Sequence, residues 1–389
     1  MIRNYLKVAM RYLLRNKGYT SINILGLAIG ITCCILIMLF VRSEFSYDKF
    51  HTKSDRIYRA WVKEHYEDQD DIIDIVTPLP LAGALQESFG EIESTCRVFN
   101  LSSLVKTGDQ SFSENISMVD SSFFRLFDFT LVKGDRENPF PTGNSIILTE
   151  SIAKKYFGKE NAIGKNIELQ LANEKVLFSV SGIVRSAPEE SSIRYNALIS
   201  FSNAKFLFSP RTMKAWFNVN PETYVLLQKD ADANKLAKKF PSMVKRNLGE
   251  DYKEGGYIVS LQPITKIHLD TSLPAGIAPV SNPKYSYILL SIAILILLVA
   301  CVNFITLSVG RSATRAMEVG VRKVLGAERQ QLIRQFWGEA ILLTIISVII
   351  GIGLAVLLVK PFNQIINRQL SLQFDFVFIG YCILIIIMI

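Results

Sequence analysis

Apolar and polar positions divide the chain sharply. Residues 22–41, 287–309 and 340–359 are almost unbroken runs of aliphatic and aromatic side chains, and a further run starts at Phe376 and lasts to Ile389. About 20 apolar helical residues cross a bilayer core. The first three runs are therefore predicted to span a membrane. The last is too short for a span, so it predicts a fragment cut inside a fourth helix. Between the first two runs the pattern changes. Short segments such as KVLFSVSGIV alternate apolar and polar residues, as half-buried strands do. Strands are predicted at 58–62, 146–148, 175–184, 196–201, 223–229 and 257–269. Helices are predicted after the prolines of TPLPLAGALQESFGEI, at 150–157 between a Thr149 cap and Gly158, and in ANKLAKKFPSMVKRNLG. Strands and helices that alternate this way make an α/β or α+β domain.

The predicted fold is thus a membrane protein: an α-helical bundle of three complete spans and a partial fourth, with a large α/β (α+β) domain inserted between the first and second spans. The boundaries fall at 1–19 (an amphipathic elbow helix), 20–43 (first span), 44–284 (the polar domain) and 285–309 (second span). They continue at 310–336 (a charged connection), 337–360 (third span), 361–375 (a loop) and 376–389 (the start of the fourth helix). Composition agrees. Of 389 residues 49% are hydrophobic and only 20% charged, with a mean hydropathy of +0.26, which suits an integral membrane protein with a sizeable aqueous part.

Charge fixes the expected orientation. Residues 1–19 carry Arg3, Lys7, Arg11, Arg15 and Lys17 and no acid, and the arginines and Lys7 recur every four residues as one basic stripe suited to anchoring on an anionic leaflet. Positive charge ahead of an apolar run also fits a secretory signal, but RSEFSYDKFH follows the run in place of a small-residue cleavage site. Residues 310–335 carry Arg311, Arg315, Arg322, Lys323, Arg329 and Arg334 against Glu318 and Glu328. Both basic segments are expected in the cytoplasm, with the polar domain and residues 361–375 outside. The net charge of +8 follows from these flanks, so it does not call for a nucleic-acid partner. Within the first run, Gly26 and Gly30 form a small-xxx-small pair that would let another helix pack closely.

Catalytic chemistry is not evident. The three histidines, His51, His65 and His268, lie far apart, and four of the five cysteines, Cys33, Cys34, Cys301 and Cys382, sit in apolar runs. The remaining one, Cys96, has no pairing partner in the polar domain. GKENAIGKN, from Gly158, is one residue too long for a phosphate-cradling loop, and Asn166 replaces the hydroxyl that would hold magnesium. No cofactor or metal is expected on this chain.

The segment 303–339, NFITLSVGRSATRAMEVGVRKVLGAERQQLIRQFWGE, remains. Glu318 and Arg322 are four apart, and Val321, Val324 and Leu325 make an apolar stripe continued by Leu332, Ile333 and Phe336. The spacing predicts a short amphipathic helix at the membrane surface, and by itself fits a mere connection equally well. In residue order, however, the segment resembles the FtsX-like permease signature of MacB-type ABC transporters. Other stretches resemble the same MacB/FtsX-type permease family, in its long Bacteroidetes-type form. They are LRNKGYTSINILGLAIGI in the first helix, FSYDKFHTKSDRIYR at the start of a periplasmic core domain, and MVDSSFFRLFDF and SIILTESIAKKYFG in its middle.

That resemblance covers nearly the whole chain and implies a permease subunit in a bacterial inner membrane, N-terminus cytoplasmic. Its external domain would be porter-like with a smaller β-rich subdomain. The implied partners are a separate ATPase that binds ATP and magnesium, a second permease half (a homodimer or a C-terminal FtsX-like repeat), a periplasmic adaptor, an outer-membrane channel and membrane lipid. Segment 303–339 would include the coupling helix that meets the ATPase, with Glu318, Gly320, Arg322, Lys323, Gly326 and Arg329 as contact and scaffold. Leaflet anchoring is the alternative for its charged residues. For the whole chain the alternatives are an FtsX-type scaffold that regulates an external hydrolase, and a membrane-bound sensor or binding protein.

Overall fold

The computed structural model of the chain describes residues 17–67, 70–107, 110–324, 328–372 and 374–388. These fall into two compact units, Met1–Phe45 with Pro283–Ile389, and Ser46–Asn282. In chain order the helices are α1 (Lys17–Phe45), α2 (Leu81–Ser88), α3 (Phe123–Leu126), α4 (Glu150–Phe157), α5 (Ala233–Ala237), α6 (Phe240–Leu248), α7 (Pro283–Val324), α8 (Arg329–Ile366) and α9 (Phe376–Met388). The strands are β1 (Ile57–Glu64), β2 (Ile72–Asp74), β3 (Ile92–Thr107), β4 (Gln110–Val119), β5 (Leu131–Lys133), β6 (Ser145–Thr149), β7 (Asn166–Leu171), β8 (Glu174–Val184), β9 (Ala197–Ser200), β10 (Glu222–Leu227) and β11 (Tyr257–Pro263).

The helical unit contains three helices long and apolar enough to cross a membrane, Lys17–Phe45, Pro283–Gly310 and Phe336–Ile366. Leu27, Ile31 and Ile35 of α1 pack with Phe304 of α7, Leu343, Val348 and Ala355 of α8, and Phe378 of α9. Glycines set the spacing. A Cβ on Gly30 would lie 3.1 Å from the Ala300 Cβ, and one on Gly351 would lie 3.0 Å from Ile31. The Gly26 Cβ position is 3.4 Å from the Asn303 amide. The Thr32 hydroxyl donates to the carbonyls of Ala28 and Gly351, which binds α1 to α8.

Two boundaries differ from those expected of the sequence. The charged connection is not a helix of its own, because α7 runs unbroken from Pro283 to Val324. Only Gly310 and Gly320 interrupt that stretch, without a proline, and a helix already nucleated in the span propagates through it. Likewise Pro361 lies inside α8. Its missing N–H leaves one carbonyl without an intrahelical partner. The helix ends at Asn367, left-handed at φ 51, where the Asn363 side chain bonds both N–H and carbonyl of Leu370.

The α/β unit is built on one eleven-stranded sheet, ordered β11-β1-β10-β3-β4-β9-β6-β8-β5, with β2 beside β1 and β7 bridging β3 and β8. β4–β9 and β6–β8 are parallel pairs and the rest antiparallel. Three cores share this sheet. In the first, Val225 and Leu227 of β10 pack with Leu85 of α2 and with Phe240 and Met243 of α6. The opposite side chains of β10, Tyr224 and Leu226, pack with Phe123, Phe127 and Phe129. The third core joins the β3–β4 hairpin, β6–β9 and α4. Among the described residues, every strand of this unit belongs to that one continuous sheet.

Most elements lie where alternation placed them. Thr149 Oγ1 caps α4 by accepting from the Ile152 N–H, and Gly158 ends it at φ 62. The glycine-lysine run from Gly158 is a turn between α4 and β7. The last predicted strand stops at Pro263, after which Ile264–Leu269 is a 3-10 turn that buries Ile264, Ile267 and His268. Proline offers no ladder donor, so β11 ends there.

Candidate functional site

Two sites carry most of the unusual chemistry, and they are described separately. The first is the joint between α7 and α8. The sequence placed the ATPase-contact residues here, and of these Glu318, Gly320, Arg322 and Lys323 lie at the end of α7 and Arg329 at the start of α8. Gly320 lies in α7 with no atom within 4 Å of its Cβ position. Lys323 and Arg329 are exposed. Glu318 and Arg322 stand one turn apart on the same helix, but their side chains lie outside the described residues, as does all of Gly326. The basic stripe Arg3, Lys7, Arg11 and Arg15 also lies outside them. Apolar side chains are exposed beside these cations: Val324 is 88% accessible and Trp337 71%, with Val321 and Ile333 also open. Mixed apolar and basic residues on open helix ends suit either a protein partner or an interfacial lipid layer.

Elsewhere in the helical unit, charge stitches α1 to the segment between α8 and α9. Arg42 of α1 makes a two-pronged bond to Asp375, at 2.5 and 3.2 Å. Glu44, buried, accepts from Arg368 at 3.1 Å. Bidentate geometry and burial make such pairs worth more than ordinary surface pairs.

The second site is the root of the α/β unit, where its two chain connections meet. The residues following α1 turn at once into the domain. The Tyr47 ring stacks on His268, centroids 3.4 Å apart and planes 4° apart. Asp48 is fully buried, its N–H bonded to Glu190 O and its Oδ1 accepting from the Ser192 N–H. Asp48 adopts φ 58, a left-handed conformation that Asp tolerates better than most residues. Burial pushes its carboxyl up to about 6. On the other side, the segment that precedes α7 is pinned by the same histidine. His268 Nδ1 bonds Pro279 O, and the Ser281 N–H donates to His268 O at 2.7 Å.

Beneath that segment lies a buried ion pair. Arg59 of β1 is 1% exposed and Glu222 of β10 3%, with their charged groups 3.7 Å apart. Each is supplied with further partners. Arg59 Nη2 donates to Gln262 Oε1 at 2.7 Å, and Gln262 donates to Asp270. Glu222 accepts from the Tyr224 hydroxyl and from the Ile277 N–H, at 2.5 and 2.8 Å. A buried pair survives because such bonds replace water. Gly276 lies directly over it: a Cβ there would overlap Glu222 Oε1 and stand 2.6 Å from Arg59. Only glycine lets the backbone reach Glu222 there. His51 belongs to the adjacent aromatic core. Its Nδ1 accepts from the Asp128 N–H, its ring meets Phe129 edge-on, and burial pushes its pKa down to about 4.

His51 and His268 were noted in the sequence only as scattered histidines, and Asp48, Arg59, Glu222 and Gly276 were not singled out. The signal was present: Arg59 interrupts the apolar strand IYRAWV, and Glu222 opens ETYVLL. A charge at a core-facing strand position needs a partner, but only the fold says which.

Comparisons with known proteins cover most of the chain. The family model described as the MacB-like periplasmic core domain matches residues 20–242, and the FtsX-like permease C-terminal model matches residues 290–389. The macrolide export ATP-binding/permease protein MacB of Chromobacterium violaceum is 21% identical over 359 residues, covering 90% of this chain and 51% of that protein. The ABC transporter permease YknZ of Bacillus subtilis is 25% identical over 221 residues, 56% of this chain and 50% of that one. A crystal structure of a permease domain from Porphyromonas gingivalis aligns with 55% of this chain and 91% of its own, at 20% identity and a TM-score of 0.48. The chain spans about half the length of the curated relatives it matches.

Proposed function

Because the chain belongs to the MacB/FtsX-type family of ABC transporter permeases, we propose that it transmits the work of a separate cytoplasmic ATPase to an extracytoplasmic domain. The ATPase binds ATP and magnesium and meets the joint of α7 and α8. A second permease half, from another copy or from further chain, completes the membrane part. The N-terminus and the joint face the cytoplasm, and the α/β domain faces outward, in a Gram-negative cell toward a periplasmic adaptor and an outer-membrane channel.

One observation supports transmission above all: inside the α/β unit the chain is held close to both of its borders. Tyr47 and Asp48 are held in the domain within three residues of the end of α1, and 276–281 is bonded to Glu222 and His268 up to two residues before α7. A long loose segment at a domain border would absorb a displacement, whereas residues held this close to the border are suited to pass it on. At the other end, Lys323 and Arg329 stand on helices continuous with the spans, so a push on the joint moves a span directly.

The test is a reconstituted complex with the cognate ATPase. Replacing Glu318 and Arg322 together by Ala is expected to abolish the coupling of ATPase activity to the permease while the chain still inserts into the membrane. Unchanged coupling in the double variant rejects the assignment. Co-purification with an ATPase that carries a phosphate-binding loop separates the transporter from a membrane-bound sensor.

A further inference from the structure

A groove of about 140 Å³ lies within the helical unit, lined by α1, α7 and α9. On α1 it runs from Cys34 to Arg42, and on α7 from Leu290 to Leu297. Each stretch is about two helical turns, roughly 12 Å. Residues of α9 from Phe378 to Cys382 line the other side. α1 packs along α7 and α8, and α9 packs on α8, but α7 and α9 scarcely approach one another. The groove is what that gap leaves.

Apart from Arg42 and the Tyr381 hydroxyl, the lining is hydrocarbon and sulfur. The Cys34 thiol is already used, donating to Ala293 O at 3.2 Å. Apolar cavities of about 150 Å³ stay dry and take up apolar guests. A helix, about 10 Å across with its side chains, does not enter a slot of this volume. A single hydrocarbon chain does, and a bilayer surrounds the groove with such chains. Met38, unbranched and adaptable, suits a guest of variable shape.

One end of the groove is polar. Arg42, in the last turn of α1, lines it and is paired with Asp375. Both side chains are part-exposed. Among the described residues Arg42 uses two of its five N–H groups, both on Asp375. Asp375 Oδ1 also accepts from the Phe378 N–H at 2.9 Å, which caps α9, while Oδ2 accepts only from Arg42. Spare donors and a spare acceptor therefore stand side by side with no net charge. A lone anion would be repelled by the carboxylate and a lone cation by the guanidinium. A phosphate joined to an ammonium that still bears N–H groups satisfies both. The surroundings fit a headgroup. Phe374 and Phe376 flank Asp375 and are largely exposed, and Phe45 packs on Tyr287 with centroids 5.7 Å apart. Aromatic side chains of spanning helices collect at the headgroup level.

We propose that the helical unit binds one phospholipid whose headgroup carries a primary ammonium, with an acyl chain in the groove, the phosphate on Arg42 and the ammonium on Asp375. The proposal rests on the helices crossing a membrane, not on coupling to an ATPase, and is tested without one. The full chain is placed in nanodiscs with equal amounts of phosphatidylethanolamine, its mono-, di- and trimethylated forms and phosphatidylglycerol. After release into mild detergent, retained lipid is read by native mass spectrometry. One lipid per chain is expected, the primary ammonium favoured at least about fivefold over the trimethylated form, with the intermediates in order. Met38→Trp fills the groove from a half-buried position and should lose the lipid at an unchanged melting temperature. Asp375→Asn keeps a capping side chain for α9 and should erase the order of the methylated series while lipid is still retained. The parent alone can overturn the proposal, by retaining no lipid, by retaining the methylated series equally, or by favouring phosphatidylglycerol. Undiminished retention in Met38→Trp overturns it, as does a second copy of the chain held in place of lipid and released by that substitution. A methylated series still in order in Asp375→Asn overturns the role of Asp375.

Discussion

Arg59 and Glu222 meet almost out of reach of solvent, whereas Lys323 and Arg329 stand open on the ends of α7 and α8. The residue types are alike and their settings opposite. At the root Arg59 and Glu222 are tied into a network that includes the backbone of the connecting segment, through the Ile277 N–H. At the joint the described charges sit among exposed valine, isoleucine and tryptophan side chains. Charge at the root holds two pieces of chain together and cannot be changed cheaply. Charge at the joint is available to something else. The proposed transmission calls on both, residues held firmly where the α/β unit begins and ends and an open surface for the ATPase.

The contrast is broken most severely at Glu222. Glu222→Ala leaves Arg59 buried without its counterion, and is expected to destabilise the α/β domain by about 3–5 kcal/mol. Thermal unfolding of the full chain in detergent, followed by near-ultraviolet circular dichroism, measures it. The paired change Arg59→Met with Glu222→Met should cost much less, because no charge is stranded.

Next in size is the pH response of the root. His51 is neutral in the folded domain down to about pH 4, against 6.5 ordinarily. Between those values the unfolded chain binds the extra proton, so this residue makes stability rise with pH. Asp48 acts oppositely: its carboxyl titrates near 6, against 3.8 ordinarily, so the folded state holds the extra proton and stability falls as pH rises through that window. The two slopes offset each other in the parent. Asp48→Asn should steepen the rise between pH 4 and 6.5, and His51→Gln should leave a decline from pH 4 to 6, both read from urea midpoints at intervals of pH. Parallel profiles for parent and variants would refute the offset.

Gly276→Ala should cost about 1–3 kcal/mol, since the added methyl overlaps Glu222 and lifts the segment that leads into α7. The same melting experiment reports it, and loss of transmission without loss of insertion is expected to accompany it. The smallest effect belongs to the joint. Val324→Ser or Val321→Ser should change stability by less than about 0.5 kcal/mol, while weakening binding of the ATPase in a pull-down from detergent. A large loss of stability there would erase the difference between the two regions.

The parts legible in advance share a physical cause. A span is announced by length and apolarity, and α4 by a threonine, an amphipathic turn and a glycine, all local features. The β3–β4 hairpin was not read, because Asn100, Ser102 and Ser103 blur its alternation, and its stability comes from partners in β7, β9 and β10 far along the chain. The separate coupling helix was misjudged for a related reason. Charge density marks where a helix leaves the membrane, not where it ends.

The sequence by itself determined the membrane character, the insertion of an α/β domain between spans, and the motif order that marks the family. Each depends on runs or spacings within a few tens of residues. Only the tertiary structure decided that Arg59 faces Glu222, that Gly276 closes over them, and that Tyr47 stacks on His268. These are meetings of residues from distant parts of the chain, fixed by strand register and by the burial that makes an unpaired charge costly.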